Sequence, residues 1–587
     1  MVDDDKKASK VLLLFIFLVI GFLIFLSTMF YTAVKPRDLP SRFISDTTKA
    51  ERSSIISADG FHLAISKKVY KAMINTKNLD PDKKELFIQL FSIYSNIPAE
   101  TIRRKIRRRK GAVTLSYSIS EQRAQYLKSL AFELRRLNVF QEYQTPNGRH
   151  ILQGLDIIES GEARIYPYGD LLTPVIGYPK KHEDHGYTRS HGMKGIERKY
   201  NDDLSPRQDG LQRGPRDVNG YMILNKESHT KYALNGLDVK LTIPVTLQSR
   251  VERMCDKMQE KMGARQIIVT VMESETGRMR VLATSNRFKP KDIQPEDIPS
   301  LQVHAVEYSF EPGSVLKPII FALLMKHKLV NPFEVVNTHN GRFKIGKRII
   351  TDEHKMHYMS AENVIVHSSN IGIAQLAQRL NASDYHQGLL DFGFTQPSGI
   401  DLTNEYLGKI PTMRQLDSET YKASASYGYA VRANLIQLLK AYNVFNNSGR
   451  MVTPRLTQEY IDETGRSIPL EQEEPMQLLN PETAERIKRI LVKTAVEGTG
   501  QKALVDGIEI GGKTGTAQIS ERGHYQQKYN TSFIGFANDS AHNYTIGVTV
   551  IRPKIAYRFA AQSAAPVFRE TVELLIEEGL LKPKCDK

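Results

Sequence analysis

The sequence predicts a membrane-anchored, multidomain protein with one N-terminal transmembrane helix, a β-rich α+β domain and a C-terminal α/β domain. Three observations predict this fold class. Residues 11–34 carry no charge, residues 35–228 are polar with short apolar runs and many turn signals, and strands alternate with longer helices from Asn235 onward. A chain of 587 residues also exceeds one ordinary hydrophobic core, so more than one domain is expected.

The composition is that of a globular protein, with 25% charged and 41% apolar residues. It excludes a disordered, collagenous or low-complexity chain. The formal net charge of +16 favours an anionic neighbour without choosing among membrane, nucleic acid and acidic polymer. The two cysteines are Cys255 and Cys585, so neither a disulfide framework nor a cysteine zinc site is expected.

The apolar run at residues 11–34, between Lys10 and Lys35, predicts an uncleaved membrane anchor. As a helix it is roughly 36 Å long, enough to cross a hydrocarbon layer of about 30 Å. A signal peptide would have a shorter apolar region and a better cleavage site than Thr32-Ala33-Val34. The alternative is a buried core helix. Basic residues flank both ends, so the positive-inside rule does not decide the orientation.

The polar region that follows, residues 35–230, is interpreted as a separate domain. Its turn signals include Asp59-Gly60, Asp209-Gly210 and Asn219-Gly220. A composition shift places the boundary with the next domain near residues 225–235. The predicted organisation is therefore a tail at 1–10, an anchor at 11–34, domains at 35–230 and 231–580, and a tail at 581–587.

A basic run at residues 103–110 stands out within the first domain. Ile102 and Ile106 are one helical turn apart, so the run fits the solvated face of a helix that buries these two side chains. A nucleic-acid-binding arm is the alternative, and we do not expect it on an anchored chain.

The second domain contains the clearer regular structure. Strands are predicted at residues 239–243 and 266–272, and helices at residues 363–380 and 481–496. This alternation is typical of an α/β domain.

The first chemical motif is Glu311-Pro312-Gly313-Ser314-Val315-Leu316-Lys317. A helix beginning near Ser314 places Lys317 one turn away, where a deprotonated amine can activate the hydroxyl. The signal is weak alone, because Ser228-His229-Thr230-Lys231 has the same spacing and is interpreted as a loop. Pro318 also disfavours helical geometry at Lys317.

Two further motifs make the first motif a specific signal. Ser368-Ser369-Asn370 precedes an apolar helix and, alone, is explained by helix capping. Gly511–Ala517 contains Lys513-Thr514-Gly515, with glycines that suit a strand approached closely by another segment. In this chain order the three motifs match the serine, lysine and Lys-Thr-Gly set of penicillin-recognising enzymes.

With these motifs the chain resembles the class B penicillin-binding proteins, bitopic D,D-transpeptidases that cross-link peptidoglycan. Residues 164–169 and 192–197 resemble signatures of that family's pedestal, or dimerisation-type, domain. Residues 531–536 and 564–568 resemble the strand and final helix of its transpeptidase domain. The resemblance implies a serine β-lactamase-like fold, with an antiparallel sheet flanked by helices.

Within class B, the sequence at residues 311–314 and 425–429 resembles that of the division-specific branch. Three positions depart from the family pattern. Ala430 and Arg558 stand where glycine is usual, and Arg432-Ala433-Asn434 stands where Thr-Pro is usual. These departures weaken the assignment to a branch and leave the chemistry intact.

The resemblance implies catalytic roles for five residues. Ser314 attacks the carbonyl between the last two D-alanines of a stem peptide, and neutral Lys317 takes its proton. Ser368 relays a proton to the leaving amine, and Asn370 orients the donor amide and the lysine. Lys513 attracts the terminal carboxylate and keeps Lys317 deprotonated.

The resemblance also implies an oxyanion hole and a substrate-binding strand. The oxyanion hole is formed by the backbone N–H groups of Ser314 and Thr516. Lys513, Thr514, Gly515 and Thr516 bind the substrate, with the two threonines as hydroxyl donors. An amine of a second stem peptide then attacks the ester. No metal and no organic cofactor is required.

The partners implied are D-Ala-D-Ala stem peptides, an amine acceptor, β-lactam antibiotics, a multi-spanning glycosyltransferase of the shape, elongation, division and sporulation family, and other division proteins. Residues 11–34 contact the membrane, and no nucleic acid is expected. The implied location is the bacterial cytoplasmic membrane, with a cytoplasmic N-terminus, an extracytoplasmic bulk and concentration at mid-cell.

Other interpretations remain. A class A synthase needs a glycosyltransferase domain, which residues 183–187 only imitate. His182 with His185, and His354 with His357, have helical spacing that suits a metal but lack supporting ligands. A β-lactamase is normally a compact single domain. An elongation-type transpeptidase and a non-enzymatic penicillin-binding sensor are the remaining alternatives.

Ser314→Ala is expected to abolish covalent labelling of the membrane-bound chain by a fluorescent penicillin, because the variant lacks the attacking oxygen. Gel fluorescence of labelled membranes measures this. Ser228→Ala is the spacing-matched control and should label normally. Undiminished labelling of Ser314→Ala would contradict the assignment of the nucleophile.

Overall fold

The computed structural model describes residues 2–34, 41–108, 111–144, 150–184, 186–217, 221–521 and 524–584. These residues divide into two compact units, Met1–Lys49 with Gln208–Leu234, and Ala50–Arg207 with Asn235–Lys587. Some residues used above lie outside the described ranges: Lys35, Arg109, Lys110, His185, Asn219, Gly220 and Cys585.

The elements before residue 235 are, in chain order, α1 (Val2–Val34), β1 (Phe43–Thr48), β2 (Ile55–Ile56), β3 (His62–Asn75), α2 (Lys84–Ser95), α3 (Ala99–Arg108), β4 (Ala112–Ser120), α4 (Glu121–Arg136), β5 (Tyr143–Gln144), β6 (His150–Ile151), β7 (Asp156–Ile165), α5 (Thr173–Ile176), β8 (Pro179–Asp184), β9 (Tyr187–Gly192), α6 (Gly195–Lys199), α7 (Asn201–Leu204), β10 (Gly210–Pro215) and β11 (His229–Lys231).

The later elements are β12 (Asp238–Leu241), α8 (Val245–Met262), β13 (Gln266–Glu273), β14 (Met279–Thr284), α9 (His304–Glu307), α10 (Lys317–Lys326), β15 (Val335–Asn337), β16 (Arg342–Ile345), β17 (Arg348–Thr351), β18 (Tyr358–Ser360), α11 (Ala361–Val366), α12 (Asn370–Ala377), α13 (Ala382–Asp391), α14 (Met413–Leu416), α15 (Glu419–Ser426), α16 (Leu435–Asn446), β19 (Arg450–Met451), β20 (Thr457–Ile461), β21 (Ser467–Pro469), β22 (Met476–Gln477), α17 (Pro481–Glu497), β23 (Glu509–Glu521), β24 (His524–Asn538), β25 (Asn543–Ile551) and α18 (Ala564–Glu577).

The smaller unit contains α1 and an antiparallel sheet in the order β1-β10-β11. Among the described residues, the stretch Lys7–Val34 is the one helix long and apolar enough to cross a membrane. The hydroxyls of Thr28 and Thr32 donate to backbone oxygens one turn earlier, at 2.8 and 2.7 Å, so these polar groups are satisfied within the helix.

Two expectations for the smaller unit are wrong. Gly210 begins strand β10 instead of forming a turn with Asp209. Residues 229–231 form β11 instead of a loop, because their backbone pairs with residues 211–213 of β10.

The larger unit contains a sheet in the order β21-β20-β12-β2-β3-β7-β9-β8, with β4 paired to β3. In it, β12 pairs parallel with β2 and antiparallel with β20. Strands from both sides of the predicted domain boundary therefore share one sheet.

The basic run lies on α3, and its helical interpretation is confirmed for the described part. Ile102 and Ile106 are buried, whereas Arg104, Arg107 and Arg108 are exposed. The charged side chains are thus the solvated face of a helix.

A second sheet, β14-β13-β25-β24-β23, is antiparallel throughout and carries β23 at its edge. Along β13, Ile267 and Val269 join the core that includes α8 and α18, whereas Ile268 and Met272 join the core that includes α10 and α16. Alternate side chains of a strand face opposite sides, so helices cover both faces. The predicted antiparallel sheet flanked by helices is confirmed.

One of the two helices predicted with clear bounds is correct and the other is wrong. Helix α17 matches residues 481–496, with Asn480 as its N-cap. Residues 363–380 do not form one helix, because α11 ends at Val366 and α12 begins at Asn370. Between them Ser368 has a φ of 57°, in the left-handed region, which a right-handed helix cannot continue.

The two pedestal signatures meet in a buried ion cluster. Arg164 Nε donates to Glu197 Oε1 at 2.7 Å, and Arg52 Nη2 donates to Glu197 Oε2 at 2.7 Å. Burial raises the pKa of Glu197, but the two guanidinium groups outweigh it and hold this pKa below the ordinary value. The cluster joins β7 to α6 and to the chain before β2.

Candidate active site

The first motif forms a 3-10 turn, Gly313–Leu316, that continues directly into α10. Pro318 lies in the first turn of α10, where a missing N–H costs no helical hydrogen bond. Lys317 keeps helical φ and ψ values of −55° and −44° although it precedes proline. The conflict expected from the sequence is thus resolved by starting the α-helix at Lys317.

Lys317 is completely buried, and its amine contacts the second motif. Nζ donates to the backbone oxygen of Ser368 at 2.6 Å and to Oδ1 of Asn370 at 2.7 Å. It also lies 3.2 Å from Oγ of Ser368. The first two motifs are therefore joined through one side chain.

Asp352, which the sequence analysis missed, holds the second motif in place. Its carboxylate accepts from Ser369 Oγ at 2.5 Å and from the backbone N–H groups of Asn370 and Ile371 at 2.6 and 3.1 Å. Ser369 also caps α12 by accepting from the N–H of Gly372 at 2.9 Å. Helix capping and contact with Lys317 thus both apply, on different residues of the motif.

The third motif lies on the edge strand β23. Lys513 is completely buried, and its Nζ donates to Thr514 O at 3.3 Å. Thr516 Oγ1 accepts from the N–H of Ala560 at 3.2 Å. A Cβ on Gly515 would lie 2.8 Å from the backbone oxygen of Pro312, so only glycine lets the strand approach the 3-10 turn this closely.

Burial controls the charges of the two lysines. Burial, with the charge of Lys513 added, lowers the pKa of Lys317 well below its ordinary value. Burial lowers the pKa of Lys513 to about 7, opposed by the carboxylate of Glu353. Burial and the charge of Lys513 thus both favour the neutral form of Lys317.

The three motifs surround one cavity of about 610 Å³. Among the residues predicted from the sequence, Ser314, Ser368, Asn370, Thr514 and Thr516 line it. Lys317 is hydrogen-bonded to Ser368 and Asn370. Lys513 and Gly515 are the chain neighbours of Thr514. The structure thus brings the predicted site residues together.

The three departures from the family pattern lie in different backbone settings. Ala430 has a φ of 65°, a left-handed conformation that favours glycine. Asn434 caps α16 by accepting from the N–H of Gln437 at 2.8 Å. Arg558 has an ordinary φ of −64° and lines the site cavity.

Of the two histidine pairs, only His354 with His357 lies wholly within the described residues. His354 lines the cavity near His367, whereas His357 is exposed and does not appear among the cavity-lining residues. Within the described ranges, no three histidine, cysteine, aspartate or glutamate side chains are grouped to hold a metal.

Comparison with known families covers both regions. The penicillin binding protein transpeptidase domain matches residues 267–573, and the penicillin-binding protein dimerisation domain matches residues 47–241. The first match spans more than half of the chain and contains all three motifs.

Individual proteins are similar over comparable lengths. Stage V sporulation protein D of Bacillus subtilis is 28% identical over 459 residues, 75% of this chain and 69% of that protein. Peptidoglycan D,D-transpeptidase FtsI of Buchnera aphidicola (subspecies Schizaphis graminum) is 26% identical over 434 residues, 74% and 72% of the two chains. The structure of penicillin binding protein 3 of Mycobacterium tuberculosis with aztreonam shares the fold, with a TM-score of 0.65 at 22% identity, covering 92% and 98%.

Lys317→Arg is expected to slow acylation by a fluorescent penicillin at least about 10²-fold, because guanidinium has no lone pair to take the proton of Ser314. In the unmodified chain, acylation should fall as the pH drops through the lowered pKa of Lys317, because the protonated amine has no lone pair either.

A time course of labelling with the fluorescent penicillin, quenched at intervals and quantified by gel fluorescence, measures both effects. The matched control is Lys326→Arg, an exposed lysine on the same helix, which should acylate normally. Near-normal acylation of Lys317→Arg would show that another group takes the proton.

Proposed function

The chain belongs to the penicillin-binding proteins that carry a dimerisation domain and a transpeptidase domain, and we propose that it cross-links peptidoglycan stem peptides through an acyl-enzyme on Ser314. Its relatives include named peptidoglycan D,D-transpeptidases. The observation that carries the mechanism is the buried amine of Lys317, which follows Ser314 by one turn in the chain and is hydrogen-bonded to the Ser-Ser-Asn motif.

The hydrogen bonds of Lys317 explain how Ser314 becomes a nucleophile. A neutral amine has two N–H bonds and one lone pair, and the carbonyl oxygens of Ser368 and Asn370 accept both N–H bonds. The lone pair is then free for the hydroxyl proton of Ser314, one turn away. Ser314 Oγ attacks the D-Ala-D-Ala carbonyl, and the C–N bond to the last D-alanine breaks.

Ser368 completes the proton path. Its Oγ lies 3.2 Å from Nζ of Lys317 and lines the cavity, so it relays the proton from the amine to the leaving nitrogen. Asn370 fixes the amine and orients the donor amide. The backbone N–H groups of Ser314 and Thr516 stabilise the oxyanion.

The edge strand β23 supplies the substrate-binding side. An edge strand has free backbone groups with which an extended peptide pairs. Lys513, with the hydroxyls of Thr514 and Thr516, attracts the terminal carboxylate, and Gly515 keeps the strand close to Ser314. A β-lactam acylates the same serine.

The biological role proposed is septal wall synthesis. The sequence at residues 311–314 and 425–429 resembles that of the division-specific branch, and one relative is named FtsI. Helix α1 fits a single-pass membrane anchor. The proposed role places the catalytic domain outside the cytoplasm and the protein at mid-cell. The glycan strands come from a multi-spanning glycosyltransferase of the shape, elongation, division and sporulation family. This partner and other division proteins bind to α1 and to the pedestal domain.

The purified full chain in detergent, given uncross-linked glycan strands with D-Ala-D-Ala stems, should release D-alanine and form cross-linked dimers of stem peptides. Mass spectrometry of muramidase digests detects the dimers. Ser314→Ala and penicillin-treated chain should form none. Penicillin labelling without any cross-linked product would favour the sensor interpretation.

Replacing residues 11–34 with an unrelated transmembrane helix should preserve penicillin labelling but impair division, because the proposed docking surface is lost while the site remains. Depletion of the unmodified protein should give filaments without septa, observed by microscopy. Rounded, widened cells on depletion would assign the protein to the elongation branch.

A further inference from the structure

Three titratable side chains in the site cavity have no part in the acylation step described above. Glu353 and His354 are exposed on the segment after β17, and His367 is half-buried immediately before Ser368. The imidazole rings of His354 and His367 have centroids 6.3 Å apart. We propose that these three residues, the acceptor rim, bind the amino group of the second stem peptide and that His367 takes the proton that its nitrogen loses on attacking the Ser314 ester.

The rim is held in a fixed relation to the nucleophile. Asp352, next to Glu353 in the chain, accepts three hydrogen bonds from the start of α12. His367 is held by its backbone N–H, which donates to Asn363 O at 2.9 Å, and it precedes the left-handed Ser368. Both sides of the rim therefore adjoin the loop that contacts Lys317.

The acceptor must bind as a cation and react as a neutral amine. An alkyl ammonium has a pKa of about 10.4 and no lone pair for attack on an ester. The carboxylate of Glu353 attracts the cation, which gives its first proton to water, and a neutral imidazole accepts the second proton as the nitrogen bonds to the acyl carbon. The inference rests on the proposed transpeptidase function and concerns its second half-reaction.

The surroundings of His367 favour its neutral form. Burial, the neighbouring His354 and the ammonium of Lys493 on α17 lower its pKa, and Glu497 on α17 opposes them. Lys493 is itself paired with Glu362 at 3.0 Å. The imidazole is therefore a base at neutral pH.

The ammonium first gives one proton to water, because its pKa of about 10.4 lies far above that of an imidazole. The amine nitrogen then forms a bond to the acyl carbon of the Ser314 ester and gives its second proton to the His367 imidazole. The bond from that carbon to Ser314 Oγ breaks, and Oγ receives a proton that Ser368 and Lys317 relay from water. His367 then releases its proton to water.

The test measures how the acyl-enzyme divides between water and amine. The full chain in detergent receives an N-acyl-D-alanyl thioester as donor and Nα-acetyl-L-lysinamide as acceptor. At pH 7, His367→Gln should lower the ratio of aminolysis to hydrolysis at least about tenfold, as expected for loss of a base. Glu353→Gln should raise the acceptor concentration needed for half-maximal aminolysis.

The pH dependence separates a proton-accepting role from a structural one. In His367→Gln the ratio should rise about tenfold per pH unit toward the acceptor's own pKa, since it follows the concentration of free amine alone. In the unmodified chain the ratio should fall more steeply than this as the pH drops through the lowered pKa of His367, because a protonated imidazole cannot accept a proton. Penicillin acylation should stay within about twofold of the unmodified chain, and His357→Gln, the exposed neighbour outside the cavity lining, should change neither quantity.

An aminolysis ratio in His367→Gln that stays within about twofold of the unmodified chain at every pH would overturn the rim as the acceptor site. A fall in the ratio matched by an equal fall in penicillin acylation would also overturn it. Absence of acylation in the unmodified chain would overturn the transpeptidase function itself, which the other two outcomes leave standing.

Discussion

Two lysine amines buried in one site cannot both keep their protons, and the transpeptidase region is arranged around that constraint. Lys317 and Lys513 are both fully excluded from water, where an unpaired charge is costly. The acceptors around Lys317 are a backbone carbonyl and an amide oxygen, which a neutral amine satisfies without a counter-ion. Deprotonation of Lys317 thus follows first from burial and then from the neighbouring charge of Lys513.

The scaffold maintains this arrangement through local irregularities. The left-handed Ser368 interrupts a helical stretch and turns its carbonyl toward Lys317. Asp352 stabilises that interruption by accepting from the N-terminus of α12, where a carboxylate is favoured. Gly515 removes the side chain that would separate β23 from the 3-10 turn. The left-handed Ser368 brings its carbonyl oxygen to Lys317, and Gly515 lets β23 lie close to the 3-10 turn.

The sequence predicted the motifs and the fold better than it predicted these irregularities. Ser314, Lys317 and the Lys-Thr-Gly strand were identified because their chemistry requires those residue types in that order. Asp352 was missed because it belongs to no motif and reaches Ser369 only through the tertiary fold. The helix across residues 363–380 was predicted as continuous because apolar periodicity persists through the break, whereas a left-handed serine leaves no periodic signal.

The same limit applies to the predicted domain boundary, which composition places near residues 225–235. Strand β12 follows that boundary but pairs with β2 on one side and β20 on the other. Immediately after β12, the hydroxyl of Thr242 donates to Met279 O of β14 at 2.7 Å. A chain cut at the boundary would leave the β2-facing edge of β12 unpaired, a costly and aggregation-prone surface. The pedestal strand β2 therefore helps to stabilise the catalytic region. The composition of the chain suggests a division near residues 225–235, but the strand pairing continues across it.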